Sequence, residues 1–151
     1  MIVGEGLAPP DQEEAIDMEY RIIEGLDNME LSDIVRLLRT TYWAGDRPVE
    51  VIETALKNSR CFGIRLPGSN TLAAFARVVS DGATMYYLAD VVVDEAWRGR
   101  GLGTALVSHI VSCPTYARLR GLLFTRDAHG LYRKFGFEPA SERVMVKAPK
   151  G

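Results

Sequence analysis

The chain has 151 residues, 47% of them hydrophobic and 25% charged, and 18 basic against 20 acidic side chains leave a formal charge of −2. That length suits one domain that buries its own core without disulfide or metal support. The near balance of charge gives no electrostatic ground for binding nucleic acid or an anionic membrane surface.

Residues 1–17 combine glycines, Pro9-Pro10 and acidic groups with few large apolar side chains. So little burial cannot offset the entropy of ordering, and the segment reads as a mobile tail before a single domain over 18–151. Glu19 to Ile23 is an expected strand ended by Gly25. Ser32 to Tyr42 places Ile34, Leu37, Leu38 and Tyr42 on one helical face, with Ser32 as the expected N-cap. Pro48 suits the first turn of a second helix through Lys57. Strands are expected at Cys61–Leu66 and Thr71–Val79, joined by Pro67-Gly68-Ser69-Asn70. Asp81-Gly82 signals a two-residue hairpin into a strand over Met85–Val93. A helix from Gly101 to Cys113 is stopped by Pro114. Leu119–Thr125 is read as a strand, Ala128–Lys134 as a short helix and Arg143–Lys147 as a last strand. The expected class is α+β (mixed α/β): a mixed, mostly antiparallel twisted sheet flanked by helices.

The two cysteines, Cys61 and Cys113, stand too far apart for a CxxC motif, and with two histidines they give no zinc-ligand spacing. Both read as inert thiols, and no metal is expected. No apolar run approaches the roughly 18 residues of a membrane span, and the N-terminus lacks the pattern of a secretory signal, so a cytoplasmic location is expected.

The richest segment is Val91-Val92-Val93 followed by Arg98-Gly99-Arg100-Gly101-Leu102-Gly103-Thr104. A strand enters a turn with three alternate glycines, and a helix follows at once. Glycines admit positive φ and close approach of a phosphate, and the helix start offers unpaired N–H groups and the positive end of its dipole. Arg98 and Arg100 add charge. GxGxxG fails because Thr104 and Leu106 stand where its third Gly belongs, and no Gly-Lys-Ser/Thr completes a P-loop. The competing reading is a glycine turn that only packs helix on strand.

This pattern resembles the GNAT acetyltransferases, whose motif is Arg or Gln, two residues, Gly, one residue, Gly or Ala. A second stretch, Thr125-Arg126-Asp127-Ala128-His129-Gly130-Leu131-Tyr132-Arg133-Lys134-Phe135-Gly136-Phe137, is similar to the family's Asn-x-x-Ala-x-x-Leu-Tyr-x-x-x-Gly-Phe, with Thr125 in place of Asn. The resemblance implies acetyl-CoA as cosubstrate. It implies that Val91 to Val93 pair with the pantetheine arm, that the amides from Arg98 to Thr104 hold the pyrophosphate, and that Thr125, Ala128, Leu131 and Phe135 complete the site. It also implies a V-shaped opening between the strands Met85–Val93 and Leu119–Thr125.

An amine attacking the thioester needs support for the oxyanion, expected from a backbone N–H near Val92, and a proton for the leaving thiolate. Tyr132 stands at the family's general-acid position; the alternative is that it only packs. Asp90, in an otherwise apolar strand, is a second catalytic candidate, as base or as holder of an ammonium group, against a structural salt bridge or a cap. Strand alternation would put Tyr86, Leu88, Asp90 and Val92 on one face, with Phe75 and Arg77 across a tight hairpin. Tyr42, Trp43 and Arg77 are candidates for holding the acceptor, against core packing for the two aromatics. The resemblance implies transfer of acetyl to a primary amine, a small molecule in the favoured reading, with a homodimer left open. A silent acyl-CoA sensor and an interaction module are the competing functions.

Overall fold

The structure, a computed structural model, describes residues 18–151, so the tail reading for 1–17 lies outside the described residues. Five strands line up in chain order: β1 (Arg21–Glu24), β2 (Arg60–Arg65), β3 (Leu72–Ser80), β4 (Met85–Val93) and β5 (Arg120–Leu122). The first three pairings are antiparallel and β4–β5 is parallel. Helices α1 (Leu31–Leu38) and α2 (Val49–Lys57) cover one face through Ile34, Leu37, Leu38, Ile52 and Leu56, packed on Phe75 and Val92. Helix α3 (Leu102–Ser112) covers the other face through Leu102, Leu106, Val107 and Ile110, and α4 (His129–Arg133) adds Leu131 and Tyr132. The expected α+β class with a mixed, mostly antiparallel sheet is the observed one.

Local chemistry explains the departures. Ser32 lies inside α1, and Glu30 precedes the helix without a side-chain cap. The helix stops at Leu38 rather than Tyr42 because Thr40 and Thr41 turn their hydroxyls back onto the carbonyls of Leu37 and Leu38, each at 2.7 Å. The β3–β4 connection is a four-residue loop, not a two-residue turn. The Asp81 carboxylate accepts from the amides of Ala83 and Thr84 and from the Thr84 hydroxyl, which folds the loop around one side chain. Arg143–Lys147 forms no strand: these residues are exposed, Met145 almost completely at 99%.

The loop error matters less than a second irregularity. Phe75 pairs with Val92 but Arg77 with Ala89, so β4 carries one extra residue opposite Ala76. That bulge is at Asp90, the one described non-glycine residue with positive φ, at 53°. Side-chain alternation therefore breaks there. Tyr86 and Leu88 join the α3 face, as do Val91 and Val93, whereas Val92 and Phe75 join the α1–α2 face. The expected single face of Tyr86, Leu88, Asp90 and Val92 is overturned by this one residue.

Where β4 meets β5, glycine is required by space. A Cβ on Gly121 would stand 2.6 Å from the Tyr86 phenol ring, which is buried and stacked on Tyr116 at 5.2 Å. Gly121→Ala should therefore destabilise the chain by about 1–3 kcal/mol, the scale of overpacking a filled interior. A denaturant midpoint unchanged at constant m-value would show that the phenol swings aside freely.

Candidate active site

The β4–β5 ladder spans only Met85/Arg120, Tyr86/Gly121 and Tyr87/Leu122. Beyond it no β4–β5 pairing continues, at the place where the resemblance implies an opening, and β4 runs on to the bulge at Asp90. Backbone direction follows from one bond. Asp94 N–H donates to the Ala73 carbonyl at 2.8 Å, so by antiparallel alternation Val92 also points its backbone at β3. The backbone groups turned away from β3 are those of Val91 and Val93, either of which is near Val92 as expected for the oxyanion donor. All three valines are fully buried, and the Val93 carbonyl already accepts from Arg98 Nε at 3.1 Å. A ligand laid along β4 must exchange with that contact.

The turn after β4 is built to be held still. Asp94 caps a short 3-10 turn over Glu95–Trp97 by accepting from Ala96 N–H at 3.0 Å, and its other oxygen pairs with Arg36 of α1 at 2.7 Å. Arg36 also bonds Asp33 and the Leu72 carbonyl, and Asp33 accepts from the Leu72 amide. Helix α1, strand β3 and the turn are thus tied by one polar chain. Gly99 and Gly101 then take φ of 76° and 81°, a conformation that side-chain-bearing residues avoid. Gly101 precedes α3 in the left-handed region, and the first helical bond runs from Ala105 N–H to the Gly101 carbonyl, so the amides of Leu102 and Thr104 stand ahead of the ladder. The side chain of Leu102 itself belongs to the core.

An anionic ligand fits this turn. The Arg98 guanidinium places a cation at the turn, with Nη1 3.9 Å from Glu95 and Nη2 buried without a hydrogen-bond partner among the described residues. A Cβ on Gly99 would meet open space, so the turn is left-handed for backbone reasons and not for packing. Arg100 lies over the Trp97 ring at 5.3 Å.

Across the opening, Thr125 Oγ1 accepts from Ala128 N–H at 3.0 Å and so starts α4; its hydroxyl proton remains to be donated. Ala128 and Leu131 are buried and Phe135 packs against the same core. The Tyr132 ring is 2% exposed and meets Phe137 edge-on at 5.9 Å. Burial, then the charges of Asp127, Tyr42 and Tyr87, push its phenol above the ordinary tyrosine range.

Asp90 lies at the bulge of β4. Its carboxylate accepts from Trp43 Nε1 at 2.9 Å, Arg47 Nη1 at 2.8 Å and Arg77 Nε at 2.6 Å. Burial alone would raise its pKa; the bonds and charges of Arg47 and Arg77 outweigh this and hold it below the usual carboxylate range. The structure places Asp90 in the arrangement of the salt-bridge alternative, where it fastens the connection carrying Tyr42, Trp43 and Arg47 to β4. Trp43 and Arg77 face Asp90, and Arg77 also donates to Ser59 Oγ at 3.2 Å. Tyr42 is 44% exposed, with the Arg126 guanidinium 3.8 Å above its ring. Sequence reasoning missed Arg47, Tyr87, Arg126 and Asp127 as members of this cluster. Arg47 had a signal, being a cation in the same loop as Trp43, but its partner depended on the bulge.

The remaining candidates are structural. His109 bonds Glu24 at 2.6 Å, and burial pushes the Cys61 thiol up to about 11. Among the described residues no group of three or more His, Cys, Asp or Glu could hold a metal.

Comparison with known proteins points one way. A family model described as an acetyltransferase (GNAT) domain matches residues 57–139, more than half of the chain. A crystal structure from Xanthomonas campestris pv. campestris, ascribed to the GNAT family of acetyltransferases, is 36% identical, with TM-score 0.80 over 87% of this chain and 94% of that one. An uncharacterised N-acetyltransferase of Pyropia yezoensis is 30% identical over 82% of this chain and 74% of its own length. A protein of Clostridium acetobutylicum described as a predicted acetyltransferase, solved with acetyl-CoA, shares the fold at TM-score 0.62 and 14% identity, over 85% of this chain and 96% of that one.

Proposed function

The chain belongs to the GNAT acetyltransferase family, and from that premise we propose that it transfers the acetyl group of acetyl-CoA to the primary amine of a small molecule by direct attack in a ternary complex. One observation carries this reading: the left-handed turn with Gly99 and Gly101 opens α3 directly after β4, whose parallel ladder with β5 ends at Tyr87/Leu122. The pyrophosphate is held by amides of the turn from Arg98 to Thr104 and by the orphaned Arg98 Nη2. The neutral amine forms a bond to the thioester carbonyl carbon while Val91 or Val93 N–H supports the oxyanion. The C–S bond then breaks, Tyr132 donates a hydrogen bond to the leaving thiolate, and the amine loses its proton to water. Tyr42 and the Arg126 guanidinium above it form the near wall of the acceptor side.

A panel of small amines with acetyl-CoA, read by thiol release, tests the reaction. Binding of CoA without turnover on any amine would favour a sensor, and absence of CoA binding would favour an interaction module. The turn has its own test. Gly101→Val should weaken CoA binding at least tenfold, about 1.4 kcal/mol, because a branched side chain both opposes φ of 81° and stands where backbone meets phosphate. Calorimetry on a folded variant with unchanged affinity would remove the turn from the site.

A further inference from the structure

Arg126 is an exposed cation held in place with its donors unused. Its guanidinium carbon lies 3.8 Å from the centroid of the Tyr42 ring, too close for an N–H edge to stand between them, so the two groups meet face to face. A guanidinium stacked in this way keeps its N–H groups around its rim, in the plane of the fork that carboxylates and phosphates match. Among the described residues no carboxylate pairs with Arg126 and no acceptor takes a hydrogen bond from it. The ring beneath it is fixed in turn: Tyr42 meets Trp43 edge-on at 5.0 Å, and Trp43 donates to Asp90. The stack joins the α1–α2 connection to the segment between β5 and α4, just past the end of the β4–β5 ladder. Tyr87 of β4 and Phe124 make a second ring contact between those strands' continuations, at 5.8 Å.

The charges nearby are sorted. Asp90, the carboxylate of β4, is taken up by Arg47 and Arg77, and two guanidiniums on one carboxylate leave a net positive charge there. A substrate with a second ammonium group would meet that charge and Arg126 together. The exposed acids of the two segments, Asp46 and Asp127, complement an ammonium group, so an acceptor bearing one ammonium and one acid finds both signs where a diamine finds one.

We propose that Arg126 determines acceptor specificity by pairing with an anionic group, carboxylate or phosphate, on the amine that is acetylated. The proposal rests on the acetyl-transfer reading of the same site and names its class of acceptor: an amino acid or an amino phosphate, not a plain amine or a polyamine. Because the ring braces the guanidinium, little side-chain freedom remains to be lost when the anion docks, and the fork sets the acceptor's orientation as well as its charge. The anion is remote from the reacting nitrogen, so its contact is alike in ground state and transition state and acts mainly on the KM for the amine.

The test uses the full chain with acetyl-CoA, read by thiol release. Glycine, β-alanine, γ-aminobutyrate and phosphoethanolamine are the acid arms, propylamine the neutral arm and putrescine the cationic one. At least one acid arm should exceed propylamine about tenfold or more in kcat/KM, and the arm that does so identifies the anion. Arg126→Gln should bring that ratio to within about threefold of one, and Arg126→Glu should turn the preference toward putrescine. Arg126→Lys keeps the charge without the fork and should retain only part of the ratio. A role in the fold alone would lower all acceptors together and leave the ratio unchanged, which overturns the proposal; so does a wild-type preference for propylamine or putrescine. If no amine is acetylated, the transfer reading falls by itself and binding decides this one. Saturation-transfer NMR with CoA present should then show contact of an acid arm with the wild-type chain and none with Arg126→Gln. Equal signals from the two chains, or none from wild type, overturn the proposal.

Discussion

Tyr132→Phe should leave CoA affinity within about twofold and lower kcat by about 10²–10⁴, the usual scale for a positioned proton donor. The substitution isolates the hydroxyl, because the ring is buried and braced by Phe137 and phenylalanine keeps that packing. The raised phenol pKa bears on what the hydroxyl does. An ordinary tyrosine near ~10 would transfer its proton to a thiolate of pKa ~8.5 at a cost of about 2 kcal/mol. Burial, with Asp127, Tyr42 and Tyr87 nearby, makes the transfer harder than that. In the proposed reaction the hydroxyl would therefore act by donating a hydrogen bond to sulfur, and the sulfur would take its final proton from solvent after release. It follows that Tyr132 should contribute no falling limb to the kcat profile up to about pH 10. A kcat for Tyr132→Phe within about threefold of wild type would reduce the residue to packing.

Asp90→Asn should cost stability first, about 3–5 kcal/mol. The change leaves the Arg47 and Arg77 guanidiniums together, largely buried, with no anion between them. The effect has a definite pH dependence. The folded-state pKa of Asp90 lies below its unfolded value, so its contribution is fully present above about pH 3.9 and is lost as pH falls through the folded pKa. The variant should thus have a lower Tm at neutral pH and should converge toward wild type under strong acid. Activity per folded molecule should fall less than the folded fraction does. The opposite pattern, an unchanged Tm with kcat/KM for the amine down tenfold or more, would return Asp90 to contact with the acceptor.

Much of the fold was legible because it rests on local patterns. The glycine turn, the helix that follows it, and the antiparallel run β1 to β4 all appear near their expected places, since apolar periodicity and turn residues act over a few positions. The glycine turn of the candidate site was legible for the same reason. The surroundings of Asp90 were not. Their geometry depends on one inserted residue at Asp90, and nothing in Tyr-Tyr-Leu-Ala-Asp-Val-Val-Val marks where strand alternation breaks. Once it breaks, Asp90 turns to Arg47, Arg77 and Trp43, the salt-bridge alternative among its two readings. The Arg143–Lys147 reading failed differently. The residues have strand character, but a strand needs a neighbour, and pairing is a property of the assembly rather than of five residues.

The order of the sheet has a consequence for how the chain reaches this state. Each strand lies beside the one made just before it, from β1 through β5. No strand has to slip between two others that have already joined, and every new pairing closes a loop onto the free edge of what exists. Synthesis from the N-terminus can therefore lay down the meander through Val93 while α3 and β5 are still inside the ribosome. The two long connections are the one from β1 to β2, which carries α1 and α2, and the crossover from β4 to β5, which carries α3. Their closure costs by length differ by only about 0.3 kcal/mol, so both pairings, rather than the tight β3–β4 connection, are where non-local contacts come late.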